Sequence, residues 1–105
     1  EGVERADEIA AVDGIDMLLI GSNDLCTELG IPGELKHPKL RAAYDAVAKA
    51  CKAHGKAIGV GGIRGDLELQ TQLYRLGARF IIAGNDVAYL AGAAKSDVQT
   101  LRKLA

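Results

Sequence analysis

Clusters of basic residues, long apolar runs and paired cysteines are all missing from this chain, and each absence removes a class of function. The 105 residues carry 13 basic and 14 acidic side chains, a net charge of −1 at neutral pH. Nucleic acid or an anionic membrane surface would require Lys and Arg gathered together, so neither is an expected partner. No run approaches the roughly 18 apolar residues of a membrane span, and no basic-then-apolar signal segment opens the chain. Cys26 and Cys51 are the only cysteines. Two such residues make neither a disulfide framework nor a zinc motif, and a reduced, cytoplasmic setting fits them. The single methionine is Met17, so none stands first. What is present is ordinary globular material, 49% hydrophobic and 26% charged, enough for one domain with a core.

Apolar runs and helical periodicities alternate along the chain. Val3, Ala6, Ile9 and Ala10 predict a helix over residues 3–12, closed by the turn pair Asp13-Gly14. The run IDMLLIG, residues 15–21, predicts a strand covered on both faces. A polar, turn-rich loop follows over residues 22–37, with at most a short helical turn at Leu25 to Leu29. Pro38 then suits the first position of a helix that ends before Gly55. A second strand is predicted over 56–62, a helix capped by Asp66 and closed by Gly77, and a third strand over 79–84. Asn85 or Asp86 caps a last helix, which Ser96-Asp97 is expected to break in two. The pattern α-βα-βα-βα means parallel strands with helical crossovers. The units read as cut from a longer series, since a (β/α)8 barrel needs about 250 residues. The expectation is therefore a fragment, residues 1–105 forming part of one barrel domain, with unpaired sheet edges when isolated.

Ligands of parallel α/β folds gather at the carboxyl ends of the strands. Here those ends read Gly21-Ser22-Asn23-Asp24-Leu25, Gly59-Val60-Gly61-Gly62 and Gly84-Asn85-Asp86-Val87. The first and third share a Gly, Asn, Asp, apolar order, as if one backbone device were used twice. Asp24 has two readings: a hard-cation ligand at the rim, or a cap on a short helical turn. Asp86 has the same two, with the cap favoured because a full helix follows. The glycine segment lacks the Lys and Ser/Thr of a phosphate loop. Gly61 and Gly62 are read instead as making room at a pocket mouth. His37 and His54 have no partner spacing for a triad or a zinc site, and both are read as structural. Cys26 has nothing nearby to lower its pKa and is not a nucleophile on this reading. Tyr44, Tyr74 and Tyr89 fall in helices and read as packing residues.

The residues from Asp13 through Leu25, then Glu28-Leu29-Gly30 and His37-Pro38, resemble the HpcH/HpaI aldolase family, which includes 2,4-dihydroxyhept-2-ene-1,7-dioate aldolase. Ala53-His54-Gly55-Lys56 with Gly59, and Leu76-Gly77-Ala78-Arg79-Phe80, continue the likeness in the same order. The resemblance implies the C-terminal portion of a (β/α)8 barrel and a class II aldolase. Such an enzyme uses a divalent metal (Mg²⁺, Mn²⁺ or Co²⁺) to stabilise a pyruvate enolate. It assigns Asp24 to the metal and the backbone of Asn23 to the pyruvate carboxylate. Where the family often has Pro-Ala before that Asp, this chain has Ser22-Asn23. The second metal-binding Glu falls on a strand before residue 1, and the catalytic His and Arg fall earlier still, so no catalytic residue lies within 1–105 and activity is not expected of this piece alone. Pyruvate and an aldehyde are the implied small-molecule partners, and a homo-oligomer, trimer or hexamer, the implied assembly. The alternatives are a citrate-lyase-like or malyl-CoA-lyase-like enzyme of the same superfamily, acting on CoA thioesters, and a catalytically silent packing fragment.

Overall fold

The computed structural model describes all of residues 1–105. In chain order it contains α1 (Ala6–Ala10), β1 (Met17–Gly21), α2 (Ser22–Glu28), α3 (Pro38–His54), β2 (Ala57–Gly61), α4 (Leu67–Leu76), β3 (Ala78–Ile81) and α5 (Asp86–Arg102). The caps follow the local chemistry. Pro38 opens α3 behind His37, whose Nδ1 accepts the Lys39 N–H at 3.1 Å, and Gly55 ends it at φ 65°. Asp66 accepts the Leu69 N–H at 3.0 Å to start α4. Asn85 does the same for α5 through the Ala88 N–H at 2.8 Å.

The three strands are parallel and lie in the order β1-β2-β3. Sequential order without reversal is how the staves of a (β/α)8 barrel follow one another, whereas a doubly wound sheet reverses at a switch point. The helix-side face of the sheet is buried. Ile20, Ile58 and Val60 pack under Leu40, Tyr44, Val47 and Cys51 of α3 and Leu69 and Leu73 of α4. Each such aliphatic side chain contributes about 1.5–3 kcal/mol through the apolar surface it withdraws from water. The opposite face is apolar yet open: Leu19, Phe80 and Ile82 remain 50%, 49% and 40% exposed. Gly59 lies beneath its neighbours, since a Cβ there would sit 2.8 Å from both Leu19 Cδ1 and Met17 Sδ. Large side chains lying over small positions are the mark of a barrel interior. The C-terminal portion of a (β/α)8 barrel is the fold class.

Several expected boundaries move. The first helix is one short turn, Ala6–Ala10, because residues 1–5 form turns instead, with the Arg5 N–H bonded to the Glu1 carbonyl at 3.1 Å. The segment after β1 is helical at Ser22–Glu28 rather than a loop. β3 ends at Ile81, and a bulge at Arg79 lets Ile58 face Ala78 while Gly59 faces Phe80. Most plainly, α5 runs unbroken through Ser96-Asp97. Ser and Asp cost a helix only some tenths of a kcal/mol each, and the neighbouring alanines offset that. No residue of α5 is buried, and the molecule measures 60 × 29 × 22 Å along its axes.

Candidate functional site at the strand rim

Asn23 and Asp24 occupy the second and third positions of α2, directly beyond the carboxyl end of β1. Gly21 is the residue before the helix and has no side chain to cap it. Ser22 could have capped, but it is fully buried and its Oγ accepts the Tyr44 hydroxyl at 2.7 Å. That bond ties the start of α2 to the middle of α3. Asn23 abuts the neighbouring rim: a Cβ on Gly62 would lie 2.9 Å from Asn23 Nδ2 and 3.2 Å from its backbone nitrogen. Gly62 itself has φ 78°, a second reason for glycine there.

The three rim carboxylates fare differently. Asp66 Oδ1 is held by the Leu69 N–H, and Asp86 Oδ1 by the Val87 N–H at 2.8 Å. Asp24 is not drawn into a cap; it borders a cleft of about 640 Å³ between residues 1–4, α2 and α3, shared with Glu1, Glu4, Glu28 and Lys39. The cap reading of Asp24 therefore fails, and that of Asp86 holds in modified form, since Asn85 is the true cap. No three His, Cys, Asp or Glu side chains converge as a metal site. Asp24 is the one uncommitted carboxylate among the three at the rims, a hard oxygen ligand that fits a share in an Mg²⁺, Mn²⁺ or Co²⁺ site without making one by itself.

Other polar residues singled out by the sequence have partners within the fold. His54 Nε2 meets Asp7 Oδ1 at 3.0 Å and joins α3 to α1. Cys26 and Cys51 are buried, and burial raises both thiol pKa values, with Glu34 raising that of Cys26 further. Tyr44 packs as expected, but Tyr74 and Tyr89 are about half exposed and stack under Arg79 and Arg64 instead. Nothing in residue spacing points to the Tyr44–Ser22 or Arg64–Tyr89 pairs.

Residues 1–93 match the model of the HpcH/HpaI aldolase/citrate lyase family. The chain belongs to that family. It is 44% identical over 92 residues to the 4-hydroxy-4-methyl-2-oxoglutarate aldolase of Hapsidospora irregularis, covering 87% of this chain and 34% of that protein. It is 32% identical over 103 residues to the 5-keto-4-deoxy-D-glucarate aldolase of Enterobacter sp. strain 638, covering 97% of this chain and 39% of that one. The crystal structure of the HpcH/HpaI aldolase from Desulfitobacterium hafniense superposes with a TM-score of 0.85 at 32% identity, over 99% of this chain and 40% of that one. The chain thus spans between a third and two fifths of the relatives it matches. The matched residues, 1–93, include both rims that meet at Asn23 and Gly62.

Proposed function

We propose that the protein carrying this chain is a divalent-metal-dependent lyase that cleaves or forms 4-hydroxy-2-oxo acids through the enolate of pyruvate. Membership of an aldolase/citrate lyase family supports the reaction class, and two relatives named as aldolases of oxo acids support the substrate class. The observation that carries the reading is Asp24, the rim carboxylate that capping leaves free. In cleavage the C4 hydroxyl gives up its proton, C4 becomes a carbonyl, and the C3–C4 electron pair stays with the pyruvate half. A bound Mg²⁺, Mn²⁺ or Co²⁺ would supply Lewis-acid stabilisation of the oxygen that gains charge. Asp24 would hold that cation. The Asn23 backbone N–H, lacking a helical carbonyl four residues before it, would bind the substrate carboxylate. The Tyr44–Ser22 bond fixes the turn that presents both, and Gly62 leaves Asn23 its place.

The assembly proposed is a homo-oligomer, a trimer or hexamer; Val87, Leu90 and Leu101 of α5 are 71%, 75% and 62% exposed, an apolar surface that suits a neighbour without fixing the number of copies. The test of the site is Asp24→Asn in the full-length protein. The expected result is weak Mn²⁺ binding by titration calorimetry and loss of pyruvate formation, with the melting temperature kept. Metal affinity and turnover near those of the unaltered protein would remove Asp24 from the site.

A further inference from the structure

Among the five residues that follow each strand (22–26, 62–66 and 82–86), Arg64 is the one basic side chain. It stands between two glycines of left-handed conformation, Gly62 at φ 78° and Gly65 at φ 82°. Its guanidinium carbon lies 4.8 Å from the centroid of the Tyr89 ring, in the first turn of α5. Gly84, just past β3, forms the third wall of this arrangement. A Cβ on Gly84 would fall 2.9 Å from Tyr89 Cζ and Oη and 3.3 Å from Arg64 Nε, so a side chain there would part the ring from the guanidinium. Arg5, Lys36 and Arg41 each hold a carboxylate of this chain, at 2.9, 2.7 and 3.1 Å. Arg64 has no such partner: its charge is placed and left open.

We propose that Arg64 is a specificity-determining residue that binds a second carboxylate at the far end of the substrate. The inference rests on the lyase reading above and assigns one residue of this chain to the second carboxylate of diacid substrates, the kind that the names of two relatives denote. Stacking on Tyr89 occupies one face of the guanidinium and leaves its edge, where the N–H donors form a fork matched to a carboxylate. Arg64 follows β2, but its guanidinium reaches Gly84 and Tyr89 beyond β3, and with adjacent strands about 4.8 Å apart the rims of β1 and β3 are about 10 Å apart. In a five-carbon diacid four C–C bonds of about 1.5 Å separate the carboxylate carbons, an extended span of about 5 Å. Contacts of about 2–3 Å at each end close the remainder. The spacing of the first rim from the Arg64 guanidinium thus matches the length of such a diacid.

The competing role for Arg64 is a staple that pins α5 to the β2 rim, and it predicts losses blind to substrate charge. The experiment compares Arg64→Met and Arg64→Lys in the full-length enzyme on two substrates. Cleavage of 4-hydroxy-2-oxoglutarate breaks C3–C4 to give pyruvate and glyoxylate; cleavage of 4-hydroxy-2-oxopentanoate gives pyruvate and acetaldehyde. For Arg64→Met, kcat/KM is expected to fall about 10- to 100-fold on the diacid, the usual effect of losing a charge-assisted hydrogen bond, and to stay near its original value on the uncharged-tail substrate. Arg64→Lys keeps the charge without the fork and is expected to fall between. Exchange of the pyruvate methyl protons with D₂O, which needs no second substrate, should be unchanged in both variants. Equal losses on the two substrates, with exchange retained, would overturn the Arg64 assignment alone. Absence of exchange in the unaltered enzyme would overturn the lyase reading and this assignment with it.

Discussion

Removing the Tyr44 hydroxyl tests whether the rim is held from below. Tyr44 is 1% exposed and Ser22 0%, and their 2.7 Å bond is the one that joins α3 to the first residue of α2. Tyr44→Phe keeps the ring and its packing but leaves Ser22 Oγ buried without its donor, with no exposed surface through which water could replace it. An orphaned buried hydroxyl costs about 1–3 kcal/mol. Ser22→Ala orphans the Tyr44 hydroxyl and should cost a similar amount. The double variant loses both polar groups together, leaves nothing unpaired, and should fall short of the sum by about 1–2 kcal/mol. Urea unfolding of the four full-length proteins at neutral pH reads this coupling directly. The pH dependence adds a second check. Burial raises the Tyr44 pKa, opposed by the hydrogen bond to Ser22, so its stabilising contribution is whole below the ordinary tyrosine pKa of about 10 and declines as pH rises beyond it. The gap between the unaltered protein and Tyr44→Phe should therefore narrow in alkali. Strictly additive single variants, or a Tyr44→Phe cost below about 0.3 kcal/mol, would refute the reasoning.

Two further outcomes follow from the same region. The thiols of Cys26 and Cys51, buried and raised in pKa by that burial, should react with an aromatic disulfide reagent at pH 8 only after denaturant is added; rapid stoichiometric reaction of the native protein would contradict their placement. Gly62→Ala and Gly65→Ala both force a side chain into left-handed backbone, at about 1 kcal/mol each. Only the first also presses on Asn23, because nothing lies within 4 Å of a Cβ on Gly65. Turnover should fall for Gly62→Ala and persist for Gly65→Ala, and equal effects would show that the Asn23 contact does not matter.

How far the sequence speaks depends on how local the determining interactions are. The long helix α3 was legible end to end, because Pro38, the apolar repeat from Leu40 to Cys51 and Gly55 all act within a few residues of one another. The caps at Asp66 and Asn85 were legible for the same reason. α2 was not: it has seven residues, an uncapped start at Gly21 and only Leu25 and Cys26 as apolar members. Its stability comes from tertiary packing, with Cys26 fully buried in the core. The Arg79 bulge is also invisible from spacing, since it depends on the register between β2 and β3. Among the site residues, the position of Asp24 at a rim was readable, whereas its freedom from capping was not. The Tyr44–Ser22 and Arg64–Tyr89 pairs join residues far apart in sequence.

The two rims that share Gly, Asn and Asp show why pattern alone left Asp24 undecided. At the third rim Asn85 is the cap, its side chain accepts the Ala88 N–H, and the helix starts at Asp86. Asp86 is thereby the first helical residue, and its carboxylate folds back onto the Val87 N–H. At the first rim the helix starts earlier relative to the same motif. Gly21 precedes it, Ser22 opens it, and Asp24 falls in third position. The expected repeat of one backbone device is thus overturned: the motifs are alike, but the helices that follow them are out of phase by two residues at the Asp. One contact from outside the motif, made by Tyr44, bears on the first rim. Its hydroxyl engages Ser22 Oγ in the core, which holds Ser22 as the first helical residue and leaves Gly21 before it, so that Asn23, the counterpart of the capping Asn85, lies inside the helix. A carboxylate in the first helical turn is favoured by the helix dipole even without a capping bond, so Asp24 is tolerated there while its oxygens stay available. Asp86 is thus drawn into the first turn behind its Asn85 cap, whereas Asp24, two positions further into its helix, makes no capping bond.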